Sequence, residues 1–545
     1  MQIFFTGIIL LVLLILTQSI FDPTFVFKEI NYLLQPYDLR GIVKGVIYLS
    51  TYTLTIVTFF VIIGIRSVKL FILFLFIIFI LYIMDFFVQL LGVRHGFSMN
   101  EYALSMNEAG NIKNLLTYIY EVMYAALLSL LFISIIYFIR KKIYKVRFST
   151  GILPIILIPT SLVYLAASNV SSINLSSYTA LSKIPAIAAE YKIKSRAITD
   201  RLLDEKIIPT KAAKFNNIVW IIDESITGSF LSINGYVKDT TPYLNSLLKD
   251  TDKVSNFGTV NSISNCSAES NLFLRIGMNP NLNLDFKKVG YELPTIFQYA
   301  KRAGYTTWLF DSQASKDNLQ NYLTLYDKED IDHFETLDSN VIPKNRDKAF
   351  LDKYTTIVNK KNKNNKNFIV VVKFGAHWPY LLAYDNDYSP FTPAMETSLG
   401  GMDMEHKERQ INTYLNTIVY STDLYLKKLM SKIDLSDTVM FYTSDHGQNI
   451  LETDSIKRTH CNTETIVKNE VSVPLLVFQD NAKTLFPADE NLFYSQIQIF
   501  PTTLSLLGYE GDIVEKYGKT LSDGFLKSNE RKYFQLFADK VKVYQ

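Results

Sequence analysis

Apolar runs too long for the core helix of a water-soluble protein fill residues 1–168, and no other feature restricts the fold as much. A membrane-spanning helix needs about 20 mostly apolar residues. Five stretches qualify: roughly 3–20, 41–65, 69–93, 117–139 and 151–167. The first lacks a basic leader and a small-residue cleavage site, so a retained helix is expected instead of a removable signal. Arg66 and Lys69 lie between the second and third stretches. Arg140, Lys141, Lys142, Lys145 and Arg147 crowd the turn between the fourth and fifth. Such charges stay on the cytoplasmic side, so everything after residue 168 is predicted to lie outside the cytoplasm. The outer loop 94–116 is polar and reads, by itself, as a solvated interfacial helix.

The charge balance divides at the same place. Residues 1–168 carry 12 Lys/Arg against 7 Asp/Glu, and the remainder carries 43 against 45. A polar part with no basic excess excludes nucleic acid as a partner on charge grounds. Two cysteines are too few for a disulfide-dense scaffold or zinc fingers. Residues 1–168 are therefore predicted as a helical membrane domain. Residues 169–214, Ser-rich and then helix-prone, are predicted as an interfacial linker, and 215–545 as one large catalytic-sized soluble domain.

In that domain NIVWII (217–222), YTTWLF (305–310), FIVVVKF (368–374), TVMFYT (438–443) and VPLLVF (473–478) read as fully buried strands. Helical patterns at 294–303 and 411–432 lie between them. Alternation of this kind predicts an α/β domain with a mostly parallel sheet. KKNKNNKN (360–367) reads as a solvated turn and 386–410 as a mobile loop.

Open α/β sheets collect ligands beyond the carboxyl ends of their strands. Asp223 and Glu224 follow the first run, and Asp311 follows the second. Gly375, Ala376 and His377 follow the third, and Ser444, Asp445 and His446 the fourth. Carboxylates and imidazoles at the strand ends of one sheet suit zinc, with manganese a poorer match. A nucleophile is sought in NSISNCSAESN (261–271), where a hydroxyl at a helix start gains from the helix dipole and from a nearby metal. Ser267 is the candidate, with Ser262, Ser264 and Ser270 as competitors. Of six histidines, His377, His446 and His460 have such a setting, whereas His95, His333 and His406 read as surface residues.

Taken together these segments resemble the phosphoethanolamine transferases of the Gram-negative envelope, within the alkaline phosphatase/sulfatase superfamily. The resemblance covers nearly the whole chain and is carried by IIDESITGSFLSINGYVKDTTPYL, FGAHWPY, TSDHGQN and RTHCN. It implies a five-span helical membrane domain followed by an α/β domain of alkaline phosphatase/sulfatase type. It implies Zn²⁺ held by Glu224, Ser267, Asp445 and His446, with Ser267 standing where the family usually has threonine. His377 and His460 take two further histidines of the family, near the substrate phosphate or a second, weaker metal position. Lys316 matches a site lysine if a gap is allowed. The family pattern Asn-x-x-x-Thr-x-x-x-Glu-Ala, which lines a lipid headgroup pocket, falls on Asn100, Leu104, Glu108 and Ala109, so leucine departs from threonine. Family members usually carry several disulfides. Here Cys266 abuts the nucleophile and Cys461 abuts His460, and a bridge or two free thiols are both open.

The resemblance implies transfer of phosphoethanolamine from phosphatidylethanolamine to an envelope acceptor, lipid A being the favoured one, with a covalent intermediate on Ser267. It implies a multi-pass protein of the bacterial inner membrane with its catalytic domain in the periplasm, and a monomer is expected. A sulfatase is demoted because Cys266-Ser267-Ala268-Glu269-Ser270 lacks the arginine of the formylglycine signature. A phosphoglycerol transferase of the same superfamily is the other alternative. Trp378, Tyr380, Tyr384, Tyr388, Phe391 and Tyr243 form either an acceptor rim or ordinary packing, with packing favoured.

Overall fold

The structure is a computed structural model. It describes every residue except 1, 20–38, 92–117, 144–145, 150–179, 182–183, 185–200, 202, 280–289, 291, 316–318, 339, 361–365, 386, 398–403, 453–457, 463–465, 538–539 and 545. The chain divides into two compact units, one built from Met1–Ile198 with Leu399–Gly401 and the other from Thr199–Ser398 with Met402–Gln545.

The first unit contains helices α1 (Gln2–Ser19), α2 (Leu39–Gly64), α3 (Val68–Leu90) and α4 (Ile119–Phe138). Val68–Leu90 and Ile119–Lys142 are long and apolar enough to cross a membrane, and Phe5–Thr17 and Thr53–Gly64 are shorter apolar helical stretches. Among the described residues, two helices thus have the length and apolarity of a span, where five spans are expected. The expected fifth span and the loop bearing Asn100, Leu104, Glu108 and Ala109 lie outside the described residues, as does most of the linker. Where α3 and α4 pack, Tyr82 stacks on Phe132 with centroids 4.2 Å apart. Arg140, from the basic turn, lies over the Phe71 ring and donates to the Ile63 carbonyl.

The second unit is built on a seven-stranded sheet. In chain order the strands are β1 (Asn217–Asp223), β2 (Val254–Asn261), β3 (Thr306–Ser315), β4 (His333–Leu337), β5 (Asn367–Val372), β6 (Thr438–Ser444) and β7 (Ser472–Phe478). Their spatial order is β2-β7-β6-β1-β5-β3-β4. β6, β1, β5, β3 and β4 run parallel, and β7 is antiparallel to both its neighbours. Each central strand feeds two cores. Ile218, Trp220 and Ile222 pack on one face with Phe368 and Val370, while Val219 and Ile221 pack on the other with Ile369 and Val371. Burial on both faces is why these strands read as unbroken apolar runs.

Helices α5 (Pro242–Asp250), α6 (Ser267–Ile276), α7 (Ile296–Arg302), α8 (Pro343–Val358) and α9 (Lys407–Thr417) flank the sheet. After α9 the chain continues through a π-helical segment, Ile418–Asp423, and a further helical stretch to Met430, matching the helical pattern at 411–432. The loop expected to be mobile is pinned where it is described. Asn416 exchanges two hydrogen bonds with the Phe391 backbone, and Thr413 and Asn412 hold Met395 and Pro393. The aromatic group is mainly packing: Tyr380 and Tyr384 are buried, and Trp378, Phe391 and Tyr243 lie against the core.

Candidate active site

The candidate site is assembled at the carboxyl ends of two neighbouring parallel strands. Asp223 ends β1 in register with Ser444 at the end of β6, so Glu224 and the Asp445–His446 pair emerge side by side. The turn is closed by its own backbone. Asp445 N–H donates to the Asp223 carbonyl, and Asp445 Oδ1 accepts from the N–H of Ser225 and of His446. Ser225 sits at φ +64°, while Gly375 comes in at φ +50°. A Cβ on Gly375 would stand 2.2 Å from Asp223 Oδ1 and 2.7 Å from the Glu224 nitrogen, so only glycine lets β5's end approach this closely.

One ligand atom each from Glu224, Asp445 and His446 lies within 4.8 Å of the others, and all three side chains are buried. His446 Nε2 is 3.5 Å from Glu224 Oε1 and 3.7 Å from Asp445 Oδ2. Its Nδ1 lies 2.7 Å from the Gly447 carbonyl, an acceptor that suits an N–H there and leaves Nε2 as the nitrogen that faces the cluster. Ser267 opens α6, and its Oγ is 2.8 Å from His446 Nε2 and 3.4 Å from Glu224 Oε1. The competing serines are engaged elsewhere. Ser262 and Ser270 donate to the Ser264 carbonyl, and Ser264 donates to Glu269.

The electrostatics are those of crowded anions in a dry place. Burial, then the nearby Glu224 charge, push the Asp445 carboxyl well above the usual carboxylate range. Burial also opposes the charge on Glu224, but the His446 hydrogen bond and charge outweigh it and hold Glu224 well below that range. His446 is pushed up to about 9, because Asp445 and Glu224 overcome the burial that opposes its charge. Asp445 Oδ2 is buried with no hydrogen-bond partner. Two carboxylates, one imidazole with Nε2 turned inward and a serine hydroxyl form a donor set that fits a tetrahedral divalent cation, zinc above all.

His460 stacks on His446 with ring centroids 4.2 Å apart, and burial together with the His446 charge pushes it well below the usual histidine range. His377 lies within electrostatic reach of Glu224 and His460. Its Nδ1 lies 2.7 Å from the Trp378 carbonyl. Lys316 lies outside the described residues. Asp311 does not join the cluster. Its Oδ1 accepts from the N–H groups of Gln313 and Ala314, and burial raises its pKa. His333 and His406 are exposed, as expected.

Several residues that hold the site were missed in the sequence. Lys373, fully buried, donates to Asp223 Oδ2 at 2.5 Å, and its presence inside the apolar run FIVVVKF was the available signal. Glu470 accepts four N–H bonds, from Asn265, Val467 and both the backbone and side chain of Asn462. It thereby ties the nucleophile's segment to that of His460. Cys266 and Cys461 are bridged between the same two segments. The bridge spans a sequence separation of 195. Replacing both cysteines by serine is expected to cost about 2–4 kcal/mol, read as a lower denaturation midpoint that reductant no longer shifts.

A fold and site of this kind define a class. Residues 216–509 match the sulfatase family model, and the chain belongs to the sulfatase family. Its named relatives are phosphoethanolamine transferases, as the motifs implied. Phosphoethanolamine transferase EptC of Escherichia coli O18:K1:H7 is 23% identical over 342 residues, covering 59% of this chain and 57% of the relative. Phosphatidylethanolamine transferase Mcr-1 of Escherichia coli is 25% identical over 313 residues, covering 55% and 54%. The chain therefore spans little more than half the length of these relatives. Among solved structures, the integral membrane protein lipooligosaccharide phosphoethanolamine transferase A (EptA) from Neisseria meningitidis shares the fold. Its TM-score is 0.61 at 19% identity, over 90% of this chain and 94% of that one.

Proposed function

We propose that the protein is a zinc-dependent phosphoethanolamine transferase of the bacterial inner membrane, with five spans and a periplasmic catalytic domain. The donor is phosphatidylethanolamine and the acceptor an envelope molecule, lipid A being the favoured one. The observation that carries the reading is the placement of Ser267 Oγ, 2.8 Å from His446 Nε2, at the edge of the Glu224–Asp445–His446 cluster. The names of Mcr-1 and of the Kdo(2)-lipid A phosphoethanolamine 7''-transferase of Escherichia coli, 22% identical over 315 residues, support the donor and the acceptor.

Glu224, Asp445, His446 and Ser267 would hold Zn²⁺, which supplies a lowered hydroxyl pKa and an electrophilic pull on the phosphoryl group. Ser267 Oγ passes its proton to His377 or His460 as it attacks phosphorus, the bond to diacylglycerol oxygen breaks, and that oxygen takes up the proton. The phosphoethanolamine ester on Ser267 is then attacked by an acceptor hydroxyl or phosphate oxygen, which returns the serine. His377 and His460 contact the phosphoryl oxygens or carry the proton. His460, stacked on His446 with ring centroids 4.2 Å apart, stands beside the metal-ligand candidates where such a proton would pass. Asn100 and Glu108 hold the ethanolamine end of the donor, Glu108 by charge, and Lys316 meets its phosphate. The protein acts as a monomer.

Peptide mapping after incubation with phosphatidylethanolamine is expected to find ethanolamine phosphate on Ser267. A glycerol phosphate adduct would favour a phosphoglycerol transferase instead. Mass spectrometry of lipid A from cells with and without the gene tests the acceptor. An unchanged lipid A beside an altered core sugar, glucan or protein would reject lipid A and keep the enzyme class.

A further inference from the structure

Glu224 has two carboxylate oxygens, and the protein treats them differently. Oε1 accepts from Ser225 Oγ at 2.6 Å and lies 3.4 Å from Ser267 Oγ and 3.5 Å from His446 Nε2. Oε2 accepts from Gln313 Nε2 at 2.9 Å. The same nitrogen donates to the Lys373 carbonyl at 2.8 Å. Both neighbours are acceptors, so the amide nitrogen must face them and both its hydrogens are used.

Gln313 is aimed by a built feature of the chain. The β3–β4 register shifts between Asp311 and Ser315, and residues 312–314 leave the ladder as a bulge. Asp311 Oδ1 accepts the N–H groups of Gln313 and Ala314, each at 2.9 Å. Arg346, from α8, donates through Nε to the Ser312 carbonyl at 2.6 Å and through Nη2 to the Gln313 carbonyl at 3.2 Å. A bulge of this kind re-aims a side chain that would otherwise point along the regular pleat.

We propose that Gln313 is a positioning residue for the metal centre. It occupies Glu224 Oε2, stops the carboxylate from rotating, and leaves Oε1, the oxygen that faces Ser267 and His446, for the cation. Asp311 and Arg346 act one step further out by shaping the bulge. The proposal rests on the zinc reading of the cluster.

The test uses the full-length protein in detergent, with zinc affinity measured by competition against a chelator and the Co²⁺-loaded protein examined by electronic absorption. Gln313→Ala removes the donor, and Gln313→Met removes it while nearly preserving side-chain volume, which guards against simple collapse of the bulge. Both variants are expected to bind zinc about 10–100-fold more weakly. Both should also change the Co²⁺ absorption bands, because the carboxylate is free to present two oxygens. Wild-type affinity and an unchanged Co²⁺ spectrum in folded Gln313→Met would overturn the role of Gln313 while leaving the zinc reading intact. A wild-type protein that takes up no stoichiometric zinc would overturn both.

Discussion

Ser267→Ala is expected to lower phosphoethanolamine transfer by at least about 10³-fold and to abolish the covalent adduct. The protein should still fold. Ser267 is the half-buried first residue of α6, where alanine is a good helix former, and its hydroxyl meets only the side chains of His446 and Glu224. Glu224, Asp445 and His446 remain, so zinc should still bind, though less tightly. Ser267→Thr should keep transfer, since it adds only a methyl group next to the same oxygen. Ser264→Ala and Ser270→Ala make the sharper contrast. Their hydroxyls are buried in hydrogen bonds within the loop, so they should lose stability and retain the adduct. Quantitative peptide mapping of the trapped ester reads all four variants. An adduct that persists in Ser267→Ala and disappears in Ser264→Ala would move the nucleophile and end the proposed mechanism.

The contrast among these serines shows where the sequence is informative and where it is not. Ser267 could be singled out as a candidate because a polar, small-residue segment precedes an apolar helix, but its neighbours share that setting. Only the hydrogen bonds of Ser262, Ser264 and Ser270 separate them. Five strands were legible because burial on both sheet faces leaves unbroken apolar runs. β2 and β4 were not. β2 contains Gly258 at φ +79° and a register shift between Asn256 and Thr259, and β4 is an edge strand with exposed His333 and half-buried neighbours. Glu224, Asp445 and His446 were legible as acids and an imidazole after such runs, and the same logic chose Asp311, which instead shapes a bulge. That bulge turns Gln313 toward Glu224, and no pattern of polarity announces it. The sequence left a Cys266–Cys461 bridge and two free thiols equally open, since the pairing depends on Asn265, Asn462 and Glu470 drawing two distant segments together.

Lys373→Met is expected to destabilise the sheet domain by about 3–5 kcal/mol, the cost of leaving a buried charge without its partner. Lys373 and Asp223 are both fully buried as side chains, 2.5 Å apart, and Asp347 lies 3.7 Å from the same ammonium. The ammonium also donates to the Ser421 carbonyl and lies over the Tyr425 ring. Asp223 in turn accepts from Tyr442, Thr422 and the Glu224 N–H, so the unpaired charge would sit directly behind the metal-ligand candidates. The loss should depend on pH with a definite sign. Burial already raises the Asp347 pKa, and Lys373 is the strongest of the groups that pull it back. Without Lys373 the folded-state value rises further above the unfolded value of about 4. Its favourable contribution is present below about pH 4 and lost as pH rises through the folded value. The gap between variant and wild type should therefore be smallest in acid and widen toward neutral pH. All three tryptophans, Trp220, Trp308 and Trp378, lie in the second unit, so fluorescence during denaturant unfolding of the intact protein follows this domain alone. Adding Asp223→Asn to Lys373→Met should recover part of the loss, because the amide oxygen can still accept the Glu224 N–H with no charge left to neutralise. A single variant within about 1 kcal/mol of wild type at neutral pH, where a broken buried pair costs several times that, would mean that the ammonium does not support the strand ends on which the site is built.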